Sequence, residues 1–485
     1  MLFTMRTIVK QFPIIALLLP LLTGCKKYLD TALPADTISQ QNAYISDNSI
    51  SAVVTGNFLA IGSGGNAFGG SSGSNLTNLT GLYMDELQNL STSSSNNIAF
   101  YKDVIQPGNT GHWTSLYKEI FSVNAAIEGI RNTTAALYYK NQWLGESYFT
   151  RAFLYFYLTN LYGDVPLALT SDYATNNVLS RAPQSQVYQQ ITADLIQAQG
   201  LLNSTYTDAY GASTPTTHRV RPNRYAASAL LAKAYLYTQK WDSAEAQADS
   251  VINNTSYALL PTSQVFTSNG KETIWALAPY TNSSANGYAL YVNGMPATLT
   301  GSSTPAGTYT VLACMDTALV NAFEPGDNRF TNWVRSVPVA GSSPAFTYYF
   351  PYKYSSAAVN SVNDMILRLA EIYLIRAEAR AHLNNISGSQ SDLNMVRTRA
   401  GLPNTTAADQ ASLLAAIAKE RRVELFTECS NRFFDLKRTG TIDAVMTAFA
   451  PQKGATWSSF MQLFPIPTND LLQDPNLTPN PGYQQ

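Results

Sequence analysis

Few side chains in this sequence are arranged for chemistry. The histidines His112, His218 and His382 lie far apart, and no CxxC or Cys/His cluster offers the ligand spacing that zinc takes. Of the cysteines Cys25, Cys314 and Cys429, the last two could pair, but two cysteines make no disulfide framework. Gly69-Gly70-Ser71-Ser72-Gly73 has the form of a nucleophile elbow. Such an elbow needs a strand before it and a helix after it. This one lies in a run of Gly, Ser and Asn, so it reads as loop. Glycoside hydrolysis needs two facing carboxyls, and no pair stands out. No phosphate loop, dinucleotide fingerprint or metalloprotease helix occurs. The reading is a protein that is not an enzyme, with no catalytic residue, metal or cofactor to name.

What the chain has in quantity is tyrosine, 29 against 20 Phe and 6 Trp. Charged residues make up 13 % of it and the net charge is −1, against a usual charged share of about 25 %. That balance supplies no basic field for nucleic acid or an anionic membrane surface. The surface must then be covered by neutral Ser, Thr, Asn, Gln and Tyr. An exposed tyrosine offers an apolar face and a hydroxyl, which suits neutral, hydroxyl-rich ligands such as sugars. Helix faces in a repeat are used up by packing, so spare aromatics belong on the loops between helices, where binding residues usually sit. Phe68, Tyr101, Tyr280, Tyr288, Tyr291 and Trp333 are candidate stacking planes, and Asn66, Asn97 and Arg329 candidate hydrogen-bonding partners. Each has a structural alternative. Trp333 could fill the core of its own lobe, and Arg329 could pair with Asp327.

The first residues address the chain. Arg6 and Lys10 precede an apolar run from Phe12 to Leu22 that ends in Leu22-Thr23-Gly24-Cys25. A charged lead, an apolar stretch and small residues make a secretory signal. The run is about half of the roughly 20 residues that span a bilayer. The Leu-Thr-Gly-Cys box is similar to the lipobox of bacterial lipoproteins, which implies that residues 1–24 are removed and that Cys25 is acylated. Residues 25–37 then read as a tether and 38–485 as the folded domain.

Stepping along that domain, a helix is expected from Ile38 to Ile61, and Gly62 to Gly81 is expected to be loop. Trp113, Leu116, Tyr117, Ile120, Phe121, Ile127 and Ile130 recur at helical steps. Runs at Trp143–Tyr162, Gln184–Leu202, Arg224–Gln239 and Trp241–Ile252 follow. In the last pair, Ala232, Ala234, Tyr235, Trp241 and Ala244 stand where a tetratricopeptide helix pair puts its small and large packing residues. Further pairs are read at Asp364–His382 with Ser391–Ala400, and at Ala411–Cys429 with Arg432–Thr439. The fold class is therefore mainly α: a tetratricopeptide-like helical-repeat body (about 112–252 and 364–440) with a mostly irregular insertion lobe (about 62–111 and 257–363). On the Asp364 helix, Arg368 and Glu371 lie one turn apart and are expected to pair. Glu420, Arg421, Arg422 and Glu424 read as helix-to-helix ion pairs.

The C-terminal motifs carry a resemblance. Arg368-Leu-Ala-Glu371-Ile-Tyr373-Leu-Ile-Arg376-Ala-Glu378-Ala379 is followed by Asn394-Met-Val396-Arg397-Thr-Arg399-Ala-Gly401-Leu402-Pro403. Glu420-Arg-Arg-Val-Glu424-Leu, Arg432-Phe-Phe-Asp435-Leu-Lys437-Arg438, Phe464-Pro-Ile-Pro467 and Asn480-Pro-Gly-Tyr483 come after. This order and spacing resembles the SusD/RagB family of outer-membrane nutrient-binding lipoproteins. Cys429-Ser430-Asn431 departs from it, where the family more often has an aromatic, Gly and His. The resemblance implies a lipid-anchored protein of the outer-membrane cell surface. It implies a shallow sugar site in the non-repeat lobe, binding an oligosaccharide or other neutral nutrient. It also implies delivery to a partner SusC-like TonB-dependent transporter. The alternatives are a lipid-anchored glycoside hydrolase and a structural helical-repeat adaptor without a small ligand.

Overall fold

Helical periodicity in the sequence becomes a continuous stack of helices in the computed structural model. The structure describes residues 42–63, 67–69, 75–109, 111–214, 219–267, 270–279, 285–300, 311–356, 358 and 362–483, and Tyr44–Gln485 forms one unit. The His112–Asn132 helix packs on Lys140–Tyr162, which packs on Gln184–Leu201, then Arg224–Tyr237 and Trp241–Ile252 follow. The chain then leaves to build the lobe. On its return Leu369–His382 packs directly on Trp241–Ile252, and Ile386–Arg399 and Gln410–Glu424 continue the stack. Of the described residues 53 % are helical, well above the roughly one-third of an average globular protein. No helix among the described residues is long and apolar enough to cross a membrane.

Lys140–Tyr162 is the centre of the stack, and every residue from Phe149 to Tyr162 is buried. A helix enclosed on all sides needs apolar residues all round, and aromatics supply them here. The one arginine in that stretch, Arg151, is neutralised by two hydrogen bonds of 2.8 and 2.7 Å to Asp194. In the next pair the small residues do the work expected of them. Ala226, Ala227, Ala229, Ala232 and Ala234 are fully buried, as are Ala244 and Ala248 of the partner helix.

The lobe is built of short strands and turns. Leu87–Asn89 pairs antiparallel with Ala313–Met315. Val334–Ala340 and Phe346–Pro351 form an antiparallel hairpin, with Leu299–Thr300 added in parallel at its edge. Thr273–Leu277 pairs antiparallel with Asp364–Arg368. Trp275 on that strand packs edge-on against Phe58, Phe149 and Phe153, which keys the lobe into the helix stack.

Three local expectations are corrected. Within the expected 62–81 loop, Leu76–Tyr83 is a buried helix, opened by Asn75, whose side chain accepts from the Asn78 backbone N–H at 3.2 Å. The helix expected from Asp364 starts at Leu369, because Asp364–Arg368 is consumed as a strand by a distant partner that periodicity cannot show. Arg368 therefore does not pair with Glu371. It meets Glu272, Glu424 and Glu428 instead, while Glu371 is held by Lys233 at 2.8 Å. The helix expected from Ile38 begins at Asp47 behind a Ser46 cap, and residues 38–41 lie outside the described residues.

Candidate functional site

The sequence candidates divide by burial. Arg329 is fully buried. It donates to both Asp327 oxygens, to Glu420 at 2.5 Å and to Glu424 at 2.9 Å. It therefore clamps the lobe onto the Gln410–Glu424 helix and has no donor to lend a ligand. Glu420 and Glu424 do make the helix-to-helix ion pairs expected of them. Trp333 is 1 % exposed, and its Nε1 donates to the Thr262 carbonyl at 2.7 Å. It fills the core of its own lobe with Val265, Phe266 and Phe426. Both residues take the structural alternative, so their reading as ligand contacts is corrected. Phe68 is also core, with its ring 4.9 Å from Phe153 and 4.5 Å from Tyr157. Asn97 is buried and accepts from the Asn78 side chain at 3.4 Å. Tyr291 is buried as well. Asn66, Tyr280, His218 and Cys25 lie outside the described residues.

Phe68 and Tyr291 do come together, around a cavity of about 50 Å³ that also touches Asp364 and Tyr354. Burial pushes the Asp364 carboxyl up to about 7, against a backbone hydrogen bond from Asn286. A cavity of that size holds a water or two and no sugar ring.

Tyr101 and Tyr288 remain half-buried, and a further aromatic surface lies on the hairpin of the lobe. On the Phe346–Pro351 strand, side chains two apart share a face. Phe350 is fully buried beside Leu90, Cys314 and Val337. Tyr348 is half-buried above it, and Phe346 is 49 % exposed at the end of the row. The Phe346 and Tyr348 rings meet edge-on at 4.7 Å. The ladder thus climbs from core to solvent. Burial raises the Tyr101 hydroxyl, with Asp316 and Cys314 adding to it, and burial and Cys314 raise that of Tyr348. Tyr348 packs on the cluster that holds Cys314, whose strand pairs with Leu87–Asn89. The signal in the sequence was the aromatic cluster Tyr348-Tyr349-Phe350. Its period of two, extended back to Phe346, marks the exposed face. Cys314 and Cys429 are both buried free thiols, pushed up to about 12 chiefly by burial, so they do not pair. No group of three or more His, Cys, Asp or Glu among the described residues is placed to hold a metal.

A larger cleft, about 670 Å³, opens on the helix stack beside Trp241, His382, Arg421 and Arg438. No sequence candidate lines it.

Comparison with known proteins separates family from fold. The family model described as the SusD family matches residues 170–483, which is more than half of the chain. The chain belongs to the SusD family. A second model of that kind, described as starch-binding associating with outer membrane, matches residues 39–236. SusD-like protein P2 of Formosa agariphila is 27 % identical over 418 residues, covering 76 % of this chain and 80 % of its own. Among solved structures, a SusD superfamily protein from Bacteroides vulgatus aligns with a TM-score of 0.73 at 20 % identity, over 90 % of this chain and 99 % of its own. A laminarin binding SusD-like protein aligns at 0.69 and 23 %, over 90 % and 99 %. Surface glycan-binding protein A from Bacteroides fluxus aligns at 0.71 and 19 %, also over 90 % and 99 %. At these identities the structural likeness speaks for the fold, a SusD-like helical body bearing a lobe.

Proposed function

We propose that this chain is a lipid-anchored protein of the outer-membrane cell surface that binds oligosaccharide and delivers it, uncleaved, to a TonB-dependent transporter. The observation that carries the binding reading is the Phe346–Tyr348 ladder, an aromatic face raised out of the lobe core. A sugar ring stacks its C–H face on such a plane, and a chain with 13 % charged residues and a net charge of −1 suits a neutral glycan. Laminarin-binding and glycan-binding proteins of the same fold support the ligand class. The Leu22–Cys25 box supports the anchor. Binding without cleavage is supported by the sequence, whose Gly69–Gly73 elbow pattern lies in a Gly/Ser/Asn run and which carries no phosphate loop or metalloprotease helix.

The test is a glycan screen of the purified protein, followed by calorimetry on the best ligand. Phe346→Ala and Tyr348→Ala are each expected to weaken binding by about 2 kcal/mol, as loss of an aromatic anchor does, with the glycan recovered intact. Wild-type affinity in both variants refutes the site. Steady release of shorter sugars refutes the non-enzymatic reading.

A further inference from the structure

The 670 Å³ cleft is of the size that takes a small molecule, and its walls differ. Part of its lining is apolar, with Leu236, Leu414 and Val445. The Trp241 indole and His382 imidazole, also in the lining, stack in parallel, 3.8 Å apart and 7° from coplanar. The charged wall carries four arginines and the carboxylates Glu86, Glu378 and Asp435.

The arginines on that wall are not equally satisfied. Arg438 donates from all three nitrogens, to Glu378 at 2.5 and 2.8 Å and to Asp435 at 2.8 Å. Arg421, 2 % exposed, donates only from Nε, to Asp435 at 2.7 Å. Its Nη1 and Nη2 have no hydrogen-bond partner among the described residues. Glu371 stands 3.6 Å from Nη2, beyond hydrogen-bond distance, and is paired with Lys233 at 2.8 Å. Leaving a buried charged donor unpaired is costly, so this guanidinium stands ready for an acceptor. Glu86 Oε1 and Arg422 Nε on the same wall are buried and unpaired as well. Three side chains with unused hydrogen-bonding capacity thus line one cavity.

The two terminal nitrogens of a guanidinium match the two oxygens of a carboxylate. Glu86 can accept from a hydroxyl, and the apolar wall can take the face of a ring. Asp85 already answers Arg422 at 2.7 Å and Arg432 at 2.8 Å, and Arg438 is spent on Glu378 and Asp435, so Arg421 alone keeps both terminal nitrogens unpaired, a match for one carboxylate and not for a phosphate dianion. We propose that this cleft is a second binding site, separate from the aromatic ladder of the lobe, for a carboxylate-bearing saccharide of the uronate class held through Arg421.

Purified full-length protein titrated calorimetrically with glucuronate, and with glucose as the neutral control, tests this. Saturable glucuronate binding is expected, with glucose at least tenfold weaker. Arg421→Lys, which keeps the charge but loses the fork, should weaken glucuronate at least tenfold. Ala418 is an exposed helix residue on the cleft wall, so Ala418→Trp fills the cleft without entering the ion pairs and should do the same; it decides the matter if Arg421→Lys does not fold. Phe346→Ala should leave glucuronate affinity unchanged, which keeps this outcome distinct from that of the lobe site. No saturable glucuronate binding, equal affinity for glucose, or unchanged affinity in Ala418→Trp overturns the proposal. So does a hexaglutamate peptide binding tenfold tighter than glucuronate, which would assign the cleft to an acidic protein segment.

Discussion

Glu86 and Glu424 are both buried carboxyls, and their neighbours drive them in opposite directions. Burial pushes each up. At Glu424, Arg399, Arg368 and Arg329 more than reverse this and hold it far below the carboxylate range. At Glu86, burial and Asp85 prevail over Arg432, Lys353 and Arg422, and the carboxyl rises to about 7. The consequences for stability have opposite signs. An unfolded Glu titrates near 4.3. The Glu424 contribution is present above that value and is lost as pH falls. Between about pH 4 and 7 folded Glu86 keeps a proton that the unfolded chain has released, so its contribution falls as pH rises. Glu86→Gln removes the charge and keeps the shape. It is expected to raise stability by about 1–3 kcal/mol at pH 8, with most of the gain gone at pH 5. Urea midpoints at the two pH values measure this, and an equal gain at both would show that the charge is not the cause. The residue scale is also where the sequence was least legible. Arg329 and Trp333 have the residue types of a sugar site, and only burial reveals that both are structural. The Cys429-Ser430 departure from the family pattern was visible, and the structure explains it. Ser430 adopts a left-handed φ of 59°, where a glycine sits without strain, and the Thr80 hydroxyl donates to its Oγ at 3.0 Å.

Elements were read well where their signal is local. The Trp241–Ile252 helix has the bounds that its spacing predicts, and its alanines face the Arg224–Tyr237 and Leu369–His382 helices. Elements defined by distant partners were not read. Asp364–Arg368 looks like the first turn of a helix until Thr273–Leu277 claims it as a strand. Leu76–Tyr83 is short and flanked by glycine-rich sequence, and it is helical because tertiary burial pays for what its composition lacks. The small-residue seam gives the element-scale prediction. Ala244 is fully buried, and the space there is set by its lack of a long side chain. Ala244→Leu should cost about 1–3 kcal/mol through overpacking. The measurement is thermal unfolding followed at the helical circular dichroism signal. An unchanged midpoint would mean that the helices do not meet at that position.

At the scale of the whole molecule, the question is what holds a weakly charged, tyrosine-rich body at a surface. With a net charge of −1, electrostatic attraction to an anionic leaflet contributes little. A peripheral protein of this kind needs hydrophobic insertion, and one acyl chain gives only marginal, reversible binding, whereas two or more give a stable anchor. A lipobox cysteine supplies several chains on one residue. In the proposed function the burden falls on Cys25 alone. Cys25→Ala should therefore leave the folded unit intact. The variant's unfolding midpoint should match the wild type's, while it moves from the membrane fraction to the soluble one and no longer takes up a fatty-acid label. Retention of the variant in the membrane fraction with its label intact would place the anchor elsewhere. Retention without label would mean that protein contacts, such as a transporter barrel, hold the chain at the surface.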